Sequence, residues 1–135
     1  MERLAAWEPR VLSILRIVAA LAFMLHGTMK HFDFPAAMEG APDPLPVILV
    51  VAGWLEIVGG ALLALGLFTR PAAFVLSGMM AVAYFMAHAT KGLYPILNGG
   101  EPALLYCFVF FYFVFAGGGA WSLDAALARR KAAAA

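Results

Sequence analysis

Charge is what this sequence has least of. Only 13% of its 135 residues are Asp, Glu, Lys or Arg, where a soluble domain carries about 25%, and 64% are hydrophobic against a usual figure of about 45–50%. A water-soluble chain of this length must cover its core with polar surface. There is too little of it here, so water is excluded as the main solvent and a lipid bilayer takes its place. The 9 Lys and Arg leave a formal net charge of +1 and are scattered along the chain. The clustered basic face that a phosphate backbone requires is missing, which excludes nucleic acid as a partner. Cysteine is reduced to Cys107, inside an apolar run, so there is no disulfide framework and no Cys-based metal spacing. No internal repeat is visible.

What the sequence does have is long apolar runs. A membrane span needs about 20 mostly apolar residues, and residues 11–29, 47–68, 72–90 and 102–118 qualify. The first follows Arg3 and Arg10 and contains the small-x-small triplet Ala20-Leu21-Ala22, as a cleaved leader does. That triplet lies inside the run rather than after it, so the segment is expected to be a retained span. Pro35, Pro42, Pro44 and Pro46 with Asp33, Glu39 and Asp43 make a helix-breaking polar loop. Thr69-Arg70-Pro71 reads as a tight hairpin connection, and Asn98-Gly99-Gly100 as a turn in an ordered loop. After Gly117-Gly118-Gly119, Ser122-Leu123-Asp124 starts a helix running to Arg129-Arg130-Lys131, which suits the membrane surface, with a fraying alanine tail. The predicted fold is all-α, an antiparallel bundle of four transmembrane helices with a short C-terminal interfacial helix, one domain over residues 1–135.

Arg3, Arg10, Arg70, Arg129, Arg130 and Lys131 fall on the side of the termini, and only Lys30 and Lys91 fall opposite. The excess of basic residues predicts cytoplasmic N- and C-termini. Arg16, one to two turns into the first span, is expected to snorkel to the headgroups on that side.

Glu56 is the most informative residue, because it stands near the middle of the second span with no other charge in it. A charge at mid-helix costs about 2.5–3.5 kcal/mol, so Glu56 is either protonated or matched by a cation or hydrogen-bond donor. Ala52, Gly60 and Ala64 share its helix face at i+4 spacing, a small-residue stripe that lets another helix approach closely. His26 and Lys30 lie one turn apart on span one, Tyr84 and His88 on one stripe of span three with Ser77 and Ala81, and Glu101, Phe108, Tyr112 and Phe115 on one stripe of span four. Counting helical rises puts His26, Lys30, His88 and Glu101 near one depth with Glu56 below them, a polar pocket opening to the non-cytoplasmic side. Glu56 has a structural alternative as a hydrogen-bond clamp, and Lys30 and Glu101 as ordinary interface residues. Two histidines and a carboxylate raise the question of metal or bis-His haem, but no ligand spacing such as His-Glu-x-x-His or Cys-x-x-Cys-His supports either. The aromatic density of span four, beside protonatable His, Tyr and Glu, is what a quinone site requires.

The ordered set His26-Gly27-x-x-Lys30, Glu56-x-x-Gly59-Gly60, Gly66, Thr69-Arg70, His88, Asn98-Gly99-Gly100-Glu101 and Gly117-Gly118-Gly119-x-x-Ser122-Leu123-Asp124 resembles the DoxX family of small four-helix membrane proteins over nearly the whole chain. Gly118 departs from the family pattern, which often has Pro after the first Gly. The resemblance implies a bacterial inner-membrane partner of redox systems, similar to the membrane subunit of thiosulfate:quinone oxidoreductase, or to members that associate with sulfurtransferases or oxidative-stress enzymes. The leading expectation is a quinone-linked redox subunit acting with a soluble or membrane redox partner. In it Glu56, His26 and His88 handle protons, Lys30 attracts an anion or a quinone oxygen, and Tyr84, Glu101, Phe108 and Tyr112 complete the ligand site. Two other readings fit the same residues. One is a proton-coupled or small-molecule transporter, which with four helices and no repeat would act as a homo-oligomer. The other is a non-catalytic assembly protein whose small-residue stripe binds a partner's helices.

Overall fold

The computed structural model describes residues 2–135, and among them it contains helices and loops without strands. A single turn, α1 (Glu2–Ala5), precedes α2 (Glu8–Phe32), whose first turn contains Pro9, where a missing N–H costs nothing. Then come α3 (Val47–Leu65) and α4 (Thr69–Ala83), the latter continued by a π turn (Tyr84–His88) and a 3₁₀ turn (Ala89–Lys91). The short α5 (Pro95–Asn98) leads into α6 (Glu101–Ala116), and α7 (Leu123–Ala134) closes the chain.

Three of these helices, Glu8–Phe32, Val47–Leu65 and Thr69–Lys91, are long and apolar enough to cross a membrane, at 25, 19 and 23 residues. Helix α6 is equally apolar but has 16 residues, just below the range of about 17–25 for a span. The helices pair as α2 on α3 and α4 on α6, with α3 against α4, whereas α2 and α6 meet sparsely. Phe23, Leu63, Leu76, Phe110 and Phe113 fill the centre. The outside is covered with exposed apolar side chains such as Val18, Val51, Trp54, Val58, Phe74 and Phe115, which suits contact with lipid rather than water. This is a membrane protein with several apolar helices.

Several boundaries differ from the sequence expectation for identifiable reasons. Helix α3 stops at Leu65, not 68, because Gly66 turns left-handed (φ 66°) and its N–H reaches the Leu62 and Leu63 carbonyls. The hairpin turn is therefore Gly66-Leu67-Phe68, and Thr69-Arg70-Pro71 is already helix. Helix α4 can begin there because the Asp124 carboxylate accepts the N–H groups of Phe68 and Thr69, each at 2.9 Å, as an N-cap supplied by the far end of the chain. Ser122 caps α7 by accepting the Ala125 N–H at 3.1 Å, and the alanines extend α7 to Ala134 rather than fray.

Arg16 corrects the sequence reading most sharply. It is 0% exposed and does not snorkel. Its guanidinium donates to the carbonyls of Gly118 (2.8 Å), Ala64 (2.7 Å), Trp121 (2.7 Å) and Leu63. These carbonyls lie at the end of α3 and in the glycine-rich segment after α6, and the Leu63 carbonyl accepts the Gly66 N–H as well. Ser13, one turn earlier, accepts the Trp121 N–H at 3.0 Å. The planar five-donor fork of Arg suits such a cage of carbonyls, where a Lys point charge would not.

Candidate functional site: a polar cavity between the helices

One cavity of about 300 Å³ gathers His26, Lys30, Glu56, His88 and Tyr106 around the ring of Phe23. Five elements converge on it: α2, α3, α4, the π turn and α6. Glu56 is 4% exposed and both its carboxylate oxygens accept from Lys30 Nζ, at 2.9 and 2.7 Å. The third ammonium donor goes to the His26 carbonyl at 3.1 Å, so the donors of Lys30 are fully used. Close helix approach makes the pair possible, because Gly27 and Gly53 stand where α2 and α3 touch and a side chain on Gly27 would strike the Gly53 carbonyl.

His88 is held by the loop beneath it. Its Nδ1 lies 3.1 Å from the Asn98 carbonyl, and because a carbonyl only accepts, a neutral ring donates from Nδ1 and keeps Nε2 as an acceptor. Asn98 is itself fixed, donating to the Gly92 carbonyl at 2.8 Å and accepting the Gly100 N–H at 2.8 Å. The π turn, a form often found at functional sites, stacks Tyr84 on His88 with ring centroids 6.4 Å apart. On the facing wall Tyr106 lies 5.1 Å from Phe23 and 6.0 Å from His26, edge-on to the latter. The whole is a small chamber with an ion pair on one side, two imidazoles and an aromatic wall. Among the described residues no group of three or more His, Cys, Asp or Glu is placed to hold a metal ion.

The DoxX family pattern matches residues 11–89, more than half of the sequence. The chain belongs to the DoxX family. It is also similar to an uncharacterized protein of Haemophilus influenzae, 54% identical over 131 residues that cover 92% of this chain and 96% of the relative. No solved structure matches it. The stretch shared with DoxX carries Arg16, His26, Lys30, Glu56 and His88, whereas Tyr106 and the Arg16 partners Gly118 and Trp121 lie beyond it.

Of the residues singled out in the sequence, this DoxX-family protein brings His26, Lys30, Glu56 and His88 into one chamber. Tyr84 stands behind His88, with Asn98 Nδ2 3.5 Å from its hydroxyl. Phe108 and Tyr112 do not join them. They are 63% and 49% exposed on the outer face of α6, and Tyr106, two residues earlier on another face of the helix, takes the place assigned to them. Glu101 lies at the rim of a separate apolar groove. Sequence reasoning also passed over His31, whose ring sits 3.1 Å from the Val50 carbonyl and stacks on Trp54 at 4.8 Å outside the chamber. Lys30 has a second environment as well. It lines a further cavity of about 330 Å³ under the α2–α3 loop, walled by Asp33, Met38 and Asp43, so Lys30 borders both a loop-side vestibule and the inner chamber.

Proposed function

We propose that this DoxX-family protein is the quinone-binding membrane subunit of a redox system in a bacterial inner membrane. In this reading α2, α3, α4 with its π and 3₁₀ turns, and α6 cross the bilayer as four antiparallel spans. The basic residues near the termini put both termini in the cytoplasm, α7 lies along that surface, and the chamber belongs to the opposite half of the bundle. A soluble or membrane partner protein delivers the electrons.

The observation that supports the reading best is the meeting of two imidazoles, a buried carboxylate and an aromatic wall in one chamber that borders lipid. Its volume is at the lower end of the range of about 300–1,000 Å³ for ligand pockets, which suits a single ring. The residues fit such a group: Phe23 and Tyr106 offer faces and edges for stacking, and His88 Nε2 offers a hydrogen-bonding position. A bound quinone would supply the redox chemistry, taking up two protons with two electrons. The chain's own part is to hold the ring and move protons. His26 and His88 are the exchangeable carriers, and the Lys30–Glu56 ion pair lines the same chamber beside them. The test is to purify the protein in native lipid particles, extract the bound small molecules and record mass and absorbance. Isoprenoid quinone at near-stoichiometric amount, lost or weakened in His88→Ala, is expected. Phospholipid alone, or a Soret band from haem, would overturn the reading.

The position of Lys30 between two cavities favours one other reading, a proton-coupled carrier in which the Lys30–Glu56 pair opens and closes the way between vestibule and chamber. Liposome uptake that responds to a pH gradient and is lost in Glu56→Gln would select it. Uptake indifferent to both would remove it.

A further inference from the structure

Helices α2 and α6 meet far more sparsely than α2 meets α3 or α6 meets α4. Between them the rings of Phe23, Tyr106 and Phe110 pack together, with Phe23 4.8 Å from Phe110. Beside that contact runs an apolar groove of about 460 Å³ walled by Leu15 and Ala19 of α2 and by Leu105 and Val109 of α6, facing the lipid. Along α6, from Glu101 to Val109, the helical rise makes it roughly 12 Å long. The groove and the polar chamber are both lined by Pro102 and Tyr106, so these two side chains form the wall between them. His26, although it lines the chamber, is exposed in this seam, edge-on to Tyr106 at 6.0 Å.

An apolar groove open to lipid and adjoining a polar, ring-sized chamber across Tyr106 and Pro102 matches a molecule with one apolar tail and one hydrogen-bonding ring. We infer that the α2–α6 seam is a lateral portal, in which the isoprenoid tail of a quinone lies in the Leu15, Ala19, Leu105 and Val109 groove while its ring enters the chamber past Tyr106 and His26. The inference rests on the quinone reading above and adds the route and the tail site. Lipid solvates a tail as well as the groove does, so the groove contributes little affinity. It orients the molecule, presenting the ring to His88 and His26 without its leaving the bilayer.

The experiment therefore reads position. Protein in phosphatidylcholine–phosphatidylglycerol nanodiscs is irradiated with a decyl benzoquinone that carries a diazirine in its tail, and the labelled residues are mapped by mass spectrometry. Binding of the tail-less benzoquinone is measured in parallel. Labels are expected to concentrate on the four groove residues and to be displaced by excess isoprenoid quinone. Ala19→Trp, which fills the groove from α2, is expected to cut labelling there about ten-fold, a 1.4 kcal/mol change, while the tail-less ring still binds. Leu105→Trp, at a lipid-exposed position that tolerates a large side chain, repeats the test from α6 should Ala19→Trp misfold. Labels spread evenly over outward residues such as Val18, Val58 and Phe74, with the tail-less ring still bound, would overturn the portal and leave the quinone reading standing. Failure of both compounds to bind would overturn the two together.

Discussion

Lys30 Nζ lies 2.9 and 2.7 Å from the two carboxylate oxygens of Glu56, with side chains 11% and 6% exposed, joining α2 to α3 at the floor of the chamber. Neither charge is tolerable alone at that depth, and each removes the other's penalty. The pair does two things at once: it clamps the helices, and it places one fixed negative and one fixed positive group beside His26 and His88.

Breaking one half of such a pair costs more than removing both. Glu56→Gln and Lys30→Met are each expected to destabilise the protein by about 3–5 kcal/mol, because each leaves a buried charge without its partner. The double variant Glu56→Gln/Lys30→Met should recover most of that loss. Denaturant unfolding in detergent, run as a double-mutant cycle, decides it: losses that simply add would show that the two residues are not coupled.

A second prediction concerns Arg16, which holds the α3 end, the glycine-rich segment and Trp121 together through carbonyl oxygens. Arg16→Met removes every one of those bonds and is expected to cost at least about 3 kcal/mol. Arg16→Lys should recover little, since one ammonium cannot span the separate carbonyls. Hydrogen exchange should show the amides of Ala120 through Ala126 losing protection first, because Trp121 and Ser122 sit on that anchor. Unchanged exchange in that segment would mean the anchor is held by other contacts.

These two sites show what could be read from the sequence and what could not. The apolar runs, the demand of Glu56 for a partner, and the common depth of His26, Lys30 and His88 follow from composition and helical spacing. They are statements about single helices, where period and rise suffice. Arg16 was misread because its partners are backbone carbonyls 47 to 105 positions away, and carbonyls leave no mark in side-chain patterns. The start of α4 was misplaced for the same reason, its cap coming from Asp124, 55 positions on. On α6 the sequence points to Phe108 and Tyr112 and gives no sign of Tyr106, because aromatic side chains occur on every face of that helix, which erases the periodicity that tells inward from outward.

Asp124 supports a prediction about acid. Burial by itself would raise its carboxyl, but hydrogen bonds from Thr69 and Phe68 and the nearby Arg16 guanidinium outweigh it, so Asp124 titrates below its ordinary value of 3.8. A depressed folded value means that the unfolded chain binds the proton first. The contribution is then fully present above pH 3.8 and is lost as pH falls below it through the folded value. The thermal unfolding temperature of the parent protein should fall on acidification in that range. Asp124→Asn should be less stable at neutral pH and show a flatter acid limb. Parallel limbs would mean that Asp124 contributes nothing to the pH response.

The contact that makes the chamber possible can be opened by one methyl group. A Cβ on Gly27 would lie 2.6 Å from the Gly53 carbonyl, 2.7 Å from Ile57 Cγ1 and 3.0 Å from Glu56 Cβ. The first of these is backbone and cannot rotate away, so α2 and α3 must separate. Overpacking of this kind costs about 1–3 kcal/mol, and Gly27→Ala is expected to lose that much stability even though alanine is the better helix former. The same displacement pushes directly on Glu56 and lengthens its contacts with Lys30. Gly78→Ala is the control, because nothing lies within 4 Å of a Cβ there and the higher propensity of alanine should stabilise α4 by a few tenths to about 1 kcal/mol. Paired unfolding curves of the two variants, with opposite shifts, would establish that helix approach rather than helix propensity sets the geometry of the site. Shifts of the same sign would refute it.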